Sequence, residues 1–320
     1  MQLGPPTSTY HCCCGPAIST PTRAIVPQTA PQARVPLPLP LALLLITALF
    51  LHPSAASTPS DAAPPPASFL PSLLPLLSTC TIPRRPLLSP RDFAAAFRGA
   101  APVIFTRPAA ATAAARAAGA RDALRAAYGH LPVLLASSNS YSHAKLPTTL
   151  ATYLEEHTAP VPPGARANDT FYLFGDTLGE AWAPLLAAYP VPPHAPPADS
   201  PLPAWGAGGA WSGVPFHTHG AAFAETVVGR KYWWVAPPAA RPEFDGEETQ
   251  LAWALRAAAR GAPYLHGQGL AGCEIGAGDV IYVPAGWHHA TLNTRAYNFF
   301  YSVFTQEQAP APPAPPAAEL

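Results

Sequence analysis

The chain has 320 residues, enough for one large domain or two small ones. Lysine plus arginine and aspartate plus glutamate number 18 each, and only 11% of residues are charged, against a usual ~25%. With no basic stripe of the kind that phosphate backbones require, nucleic acid is excluded as an expected partner.

Residues 1–56 read as an address rather than a fold. No acidic residue precedes Asp61, Arg23 and Arg34 are positive, and an apolar run from Leu41 to Leu51 stops at His52-Pro53. A run of about 10–14 apolar residues suits a signal-peptide core, whereas a bilayer span needs about 18 or more. Ser54-Ala55-Ala56 supplies the small residues that a signal peptidase reads. The expectation is a secretory signal and a place in the endoplasmic reticulum lumen. An uncleaved anchor, the one expected route to a membrane, and a transit peptide or non-functional N-terminus are the alternatives. Residues 57–78, rich in Ala, Pro, Ser and Leu, predict a linker, with order beginning near Cys80. Cys12, Cys13 and Cys14 fall in the address segment, which leaves Cys80 and Cys273 as a pair. An oxidising compartment predicts a disulfide between them; two buried thiols are the other reading. Asn168-Asp169-Thr170 is an N-glycosylation sequon.

The next segments read as follows. Ser89-Pro90-Arg91-Asp92 is a helix start, with Ser as N-cap and Pro at the first helical position; Phe93 and Phe97 then share a face. Pro102–Phe105 predicts a short buried strand, 109–128 one alanine-rich helix, 132–136 a strand and 150–157 a short amphipathic helix. Thr170–Phe174 is strand-like and broken by Gly175-Asp176. Residues 179–189 read as helical, and 190–205 as a proline-rich loop. Beyond Gly213 the character changes to short strands: 214–219, 223–228, 232–236, 279–284, 289–293 and 297–304, with one helix at 249–260. Many short strands with turn signals predict a mainly β sandwich or barrel with flanking helices. The Pro/Ala tail 309–320 predicts disorder.

His217-Thr218-His219 carries the chemistry. Two histidines two apart in a strand face the same way. A third imidazole, from Trp287-His288-His289, would complete a metal-binding face. Alternation along the strand favours His289 over His288 as that ligand. Iron(II) oxygenases use such a face, ordinarily with two histidines and one carboxylate. Buried, hydrogen-bonded histidines are the plainer reading.

The motifs taken together resemble the Jumonji-C (JmjC) domain family of the cupin superfamily. They are Pro215–His219, Gly229–Trp233 followed by Pro237-Pro238, Gly278–Pro284 and Trp287–His289. Ser137–Lys145, Asn168–Asp176, Ser212–Gly220, Ala290–Asn293 and the placing of Cys80 and Cys273 resemble one branch of it. The resemblance covers residues from about 80 to 305, within a domain spanning 79–308. It implies a cupin-like double-stranded β-helix (jelly roll) that binds iron(II) and 2-oxoglutarate and hydroxylates or demethylates proteins. His217, His219 and His289 would hold the metal. Lys231 would hold the distal carboxylate of 2-oxoglutarate, with Asn298 and Tyr172 beside the co-substrate. A lysine snorkelling over Trp233 and an ordinary buried amide are the plainer readings of Lys231 and Asn298. The chain departs from the family in placing His219 where the carboxylate ligand stands, and Val214 where some members carry a hydroxyl. Two functions follow as expectations: a lumenal protein hydroxylase, or a catalytically weak metal-binding cupin that works through a protein partner. A remnant without metal is the third possibility.

Overall fold

The computed structural model describes residues 70–175, 177, 179–195 and 202–307. The address segment, the first part of the linker, Asp176 and the Pro/Ala tail lie outside the described residues. No helix among the described residues is long and apolar enough to cross a membrane.

The helices are α1 (Leu70–Leu77), α2 (Pro90–Ala96), α3 (Ala113–Gly119), α4 (Arg121–Tyr128), α5 (Leu150–Glu156), α6 (Ala183–Ala187), α7 (Gln250–Arg260) and α8 (Ala262–Gly267). The strands are β1 (Arg84–Pro86), β2 (Val103–Thr106), β3 (Pro132–Ser137), β4 (Lys145–Thr149), β5 (Phe171–Phe174), β6 (Leu202–Gly209), β7 (Gly213–His217), β8 (Ala222–Val228), β9 (Arg230–Ala236), β10 (Ala271–Gly276), β11 (Asp279–Val283), β12 (His288–Asn293) and β13 (Tyr297–Phe304). They form a nine-stranded sheet, β1-β2-β11-β8-β13-β6-β5-β3-β4, and a four-stranded sheet, β10-β9-β12-β7. From β6 to β13 the chain passes back and forth between the two sheets, only β9 and β10 being consecutive strands of one sheet, which is the winding of a cupin-like jelly roll.

Alternation within β13 shows why this sequence makes two layers. Phe299, Tyr301 and Val303 turn outward into a core shared with Phe93, Leu124, Leu185 and Trp205. Phe300, Ser302 and Phe304 turn inward and line a cavity between the sheets. Each fully buried aromatic or aliphatic side chain contributes about 1.5–3 kcal/mol. A second core covers the outer face of the small sheet, where Trp234 and Leu292 meet Trp253, Ala254 and Ala257 of α7. A third, with Trp233, Val235, Ile275 and Ile281, fills the inter-sheet space.

The helix starts follow the sequence. Ser89 caps α2 by accepting from the Asp92 N–H, and Thr149 and Thr249 cap α5 and α7 in the same way. Three expectations need correction. Residues 70–77, assigned to the linker, form α1, because Leu73 and Leu76 bury against the α7 core; order therefore begins before Cys80. The run 109–128 is not one helix. A 3-10 turn over Ala109–Thr112, α3 and α4 share it, with Ala120 extended at ψ 137° between the two helices. The Gly119 carbonyl accepts from the Tyr297 hydroxyl at 3.0 Å instead of a helical N–H, and Gly119 lies flat on the Phe299 ring. The stretch 202–205 is strand rather than loop. β6 reads LPAWGAGG, yet it lies between β13 and β5, where a Cβ on Gly206 would come within 2.5 Å of the Phe300 ring. Gly206 and Gly208 leave space for neighbouring side chains, and Gly209 for the Thr158 backbone.

Cys80 and Cys273 form a disulfide across 193 residues, tying the segment after α1 to β10. Arg107 and Glu225 form an ion pair buried on the outer face of β8. Arg107 Nε donates to Glu225 Oε2 at 2.8 Å, and Tyr189, Thr112 and the Gly278 N–H donate to the same carboxylate. A buried charge is tolerated when it is satisfied in this way.

Candidate metal centre

β7 and β12 are antiparallel neighbours, and their register sets His217 directly opposite His289. His219 lies two residues past the end of β7, and its carbonyl is held by the Gly286 N–H at 2.9 Å. One ring nitrogen of each histidine converges with the others, all within 4.8 Å. Nε2 of His219 and Nε2 of His289 are 2.9 Å apart.

The other ring nitrogens fix the tautomers. Nδ1 of His217 donates to the Pro215 carbonyl at 2.8 Å, Nδ1 of His219 to the Gly220 carbonyl at 2.6 Å and Nδ1 of His289 to the Trp287 carbonyl at 3.0 Å. A carbonyl can only accept, so each proton sits on Nδ1 and each Nε2 presents a lone pair. Metal-ligating imidazoles are oriented by such a bond on the far nitrogen. Burial pushes all three imidazoles away from protonation: His217 falls to about 3, His219 is lowered, and His289 lies well below the usual value, helped by its histidine neighbours. They are neutral at pH 7, as ligands must be. Two lone pairs facing each other at 2.9 Å repel, and a cation between them removes that repulsion. The donor set therefore fits a divalent ion of the kind imidazole suits, iron and zinc included.

The cavity continues from the histidines to Lys231. Tyr172, Val214 and Trp233 line it, with Thr291, Asn293 and Phe300. Lys231 is 5% exposed, and its Nζ stands 3.2 Å from the centroid of the Phe300 ring. Burial alone lowers its amine from 10.5 to about 7. The snorkelling alternative is thereby set aside. Tyr172 faces the same cavity, its hydroxyl 3.1 Å from Ser142 Oγ.

Asn298 is a correction. It is fully buried but does not line the cavity. Its Oδ1 accepts from the Arg230 N–H at 2.8 Å and its Nδ2 donates to the Arg295 carbonyl at 2.8 Å. The amide is spent tying the turn at Gly229 to the β12–β13 turn. The amide that does line the cavity is Asn293, the last residue of the Ala290–Asn293 motif, to which the sequence reading gave no role. The signal was available: His289, Thr291 and Asn293 are two apart on one strand and share a face. His288, on the opposite parity, stands outside the triad, as alternation predicts. Asn168 of the sequon is partly exposed; its Oδ1 accepts from Asn139 at 2.6 Å and its Nδ2 donates to Glu247 at 3.3 Å.

A jelly roll with a three-imidazole face that could hold a metal ion, and a cavity behind it, has the architecture of a cupin of the JmjC type. No protein-family model matches the chain. Known proteins do. It is 38% identical over 214 residues to JmjC domain-containing protein 8 of Rattus norvegicus, covering 67% of this chain and 78% of the relative. The proteins of the same name from Homo sapiens and Mus musculus are 37% and 38% identical, with 80% and 78% of their lengths covered. The chain belongs to the JmjC domain family.

Proposed function

We propose that the chain is an oxygenase-like JmjC protein of the secretory pathway that binds iron(II) and a 2-oxo acid of the 2-oxoglutarate type and acts on a protein side chain. The observation that carries this reading is the triad, three Nε2 lone pairs aimed at one point with every Nδ1 proton held by a carbonyl. His217, His219 and His289 would hold the metal, and Lys231 would meet the far end of the 2-oxo acid. Iron(II) with a 2-oxo acid supplies O2 activation for hydroxylation when bound. The protein's own contribution is orientation and exclusion of water: Trp233, Phe300 and Phe304 wall the cavity, and the Nδ1 bonds keep the imidazoles in place. The Cys80–Cys273 disulfide supports an oxidising compartment. The sequon at Asn168 and the apolar run 41–51 agree with it, the latter outside the described residues. Retention by an uncleaved anchor is the other form of the same placement.

His219 favours a second reading. A neutral ligand in place of the carboxylate leaves a bound ion one unit more positive, which changes metal preference and redox behaviour. On this reading the chain is a catalytically weak metal-binding cupin that serves as a lumenal interaction or regulatory protein. Anaerobic calorimetry separates the two: 2-oxoglutarate is titrated into the chain with and without iron(II). Metal-dependent binding in the micromolar range is expected for the oxygenase. Metal binding with no 2-oxo acid binding favours the partner-binding cupin, and no metal binding sinks both.

A further inference from the structure

The histidine end of the cavity is accounted for above; the opposite end carries a pair that the metal does not use. Lys231 of β9 and Asn293 of β12 are direct cross-strand partners, and both side chains line the cavity. No carboxylate among the described residues pairs with Lys231; its ammonium group rests on the Phe300 ring. Asn293 is 4% exposed, and its Oδ1 has no hydrogen-bond partner among the described residues.

The orientation of that amide follows from Ser212. The Ser212 hydroxyl has one proton, and it donates to the Gly209 carbonyl at 2.8 Å. Ser212 Oγ can then only accept, so Asn293 must present its NH2 there, at 2.9 Å. Oδ1 is left as a buried acceptor without a donor. The cradle is built for this arrangement: a Cβ on Gly208 would overlap both Asn293 Nδ2 and Ser212 Oγ. A buried unmet acceptor is costly, and a ligand that donates to it gains the difference.

The two groups ask for different things. Lys231 donates and Asn293 Oδ1 accepts. A carboxylate is acceptor-only and would set its oxygen against Oδ1. A primary carboxamide answers both, its carbonyl taking the Lys231 proton and its NH2 donating to Oδ1. We propose that this end of the cavity is a carboxamide subsite, so that the preferred small ligand is a metal-chelating 2-oxo acid ending in a primary amide rather than in a second carboxylate. The inference rests on the reading that the chelating head sits at the histidines.

Two probes share one chelating head and differ only at the far end: N-oxalylglycine, ending in a carboxylate, and N-oxalylglycinamide, ending in a carboxamide. Each is titrated anaerobically by calorimetry into the iron(II)-loaded full chain at pH 8, where the Lys231 amine is largely uncharged. The amide is expected to bind about tenfold tighter, the worth of one added hydrogen bond to a buried acceptor. Asn293→Leu should abolish that preference, weakening the carboxamide probe and, with the opposed Oδ1 gone, leaving N-oxalylglycine bound no more weakly than before. Equal affinities in the wild type, or tighter binding of the carboxylate, overturn the carboxamide subsite and leave the metal reading standing. A preference that survives Asn293→Leu overturns the part given to Asn293. Binding of neither probe to the metal-loaded chain overturns the placement of the chelating head, and the subsite with it.

Discussion

Replacing Lys231 with methionine should make the protein more stable at neutral pH, because burial works against the charged form of this amine. Its ordinary value of 10.5 falls to about 7 in the fold. One pH unit is worth about 1.4 kcal/mol, so the full penalty on the charged form is about 5 kcal/mol. At pH 7, where half the native amines are already neutral, about 4 kcal/mol remains. The Phe300 ring beneath the ammonium group returns roughly 2 kcal/mol of cation–π attraction. Methionine has nearly the volume of lysine and no charge to desolvate, and swaps of matched volume cost less than about 1.5 kcal/mol. The net expectation is a gain of about 0.5–2 kcal/mol at pH 7. The sign of the pH dependence follows from proton counting. Between pH 7 and 10.5 the unfolded chain binds more protons at this site than the native one, so wild-type stability rises with pH through that window. From pH 7 to pH 9 the rise is about 2 kcal/mol, and Lys231→Met should lack it. Urea unfolding followed by tryptophan fluorescence at both pH values measures the two effects. A variant less stable than wild type at pH 7, with an unchanged pH slope, would refute the argument and imply an anionic partner for Lys231.

His219→Asp restores the carboxylate usual in a facial metal site and should raise iron(II) affinity by roughly tenfold or more; calorimetry showing no change would remove His219 from the ligand set. Arg107→Met leaves Glu225 buried and uncompensated and should cost about 3–5 kcal/mol in urea unfolding. Adding Glu225→Gln should recover most of that loss, and a double variant as unstable as the single one would argue against the ion pair as its source. Gly206→Ala sets a methyl group 2.5 Å from the Phe300 ring and 2.8 Å from the Leu173 carbonyl. Overpacking of this kind costs about 1–3 kcal/mol. Because it also displaces Phe300 from Lys231, the pH slope between 7 and 9 should steepen, and an unchanged slope would show that Phe300 does not support the charged amine.

Much of this was legible in the chain, for reasons that differ by element. Ser89 announces its helix because capping is a local interaction, and it caps as read; Thr149 and Thr249, not read as caps, hold the starts of α5 and α7 by the same local bond. The histidine triad was legible in its residues, but for His219 not by the expected route: the strand read as 214–219 ends at His217, which register sets opposite His289, and His219 comes in from the loop beyond, its carbonyl held by the Gly286 N–H. β6 was not, because its glycines and Pro203 argue against a strand; what makes it one is β13 and β5 on either side, and those contacts are distant in sequence. β10, reading AGCEIG, was missed for the same reason. Asn298 was misplaced because alternation puts it on the inward face with Phe300, yet the strand end is where the Arg230 N–H and the Arg295 carbonyl compete for its amide. Asn293 falls inside the Ala290–Asn293 motif but received no role there, because its place on the cavity follows from sharing the face of His289 and Thr291 and not from the motif itself.

The charges around the cavity lead to one further expectation. Among the described residues no carboxylate lines it. A divalent ion on three neutral imidazoles would add two positive charges to a site that already holds Lys231, and buried charge is stable only when paired. In a family member with a carboxylate ligand the protein supplies part of that compensation. Here a bound anion has to supply it. Metal and anion binding should therefore be coupled, and coupling is reciprocal: whatever factor the anion adds to metal affinity, the metal adds to anion affinity. Coupling of this kind commonly amounts to 5–150-fold, and full desolvation of the site argues for at least about tenfold here. Titrating iron(II), or zinc(II) as an inert substitute, at increasing N-oxalylglycine concentration measures it. Affinities that do not depend on each other would mean that compensation comes from elsewhere in the chain. His219→Asp should weaken the coupling, since it brings the missing negative charge into the site.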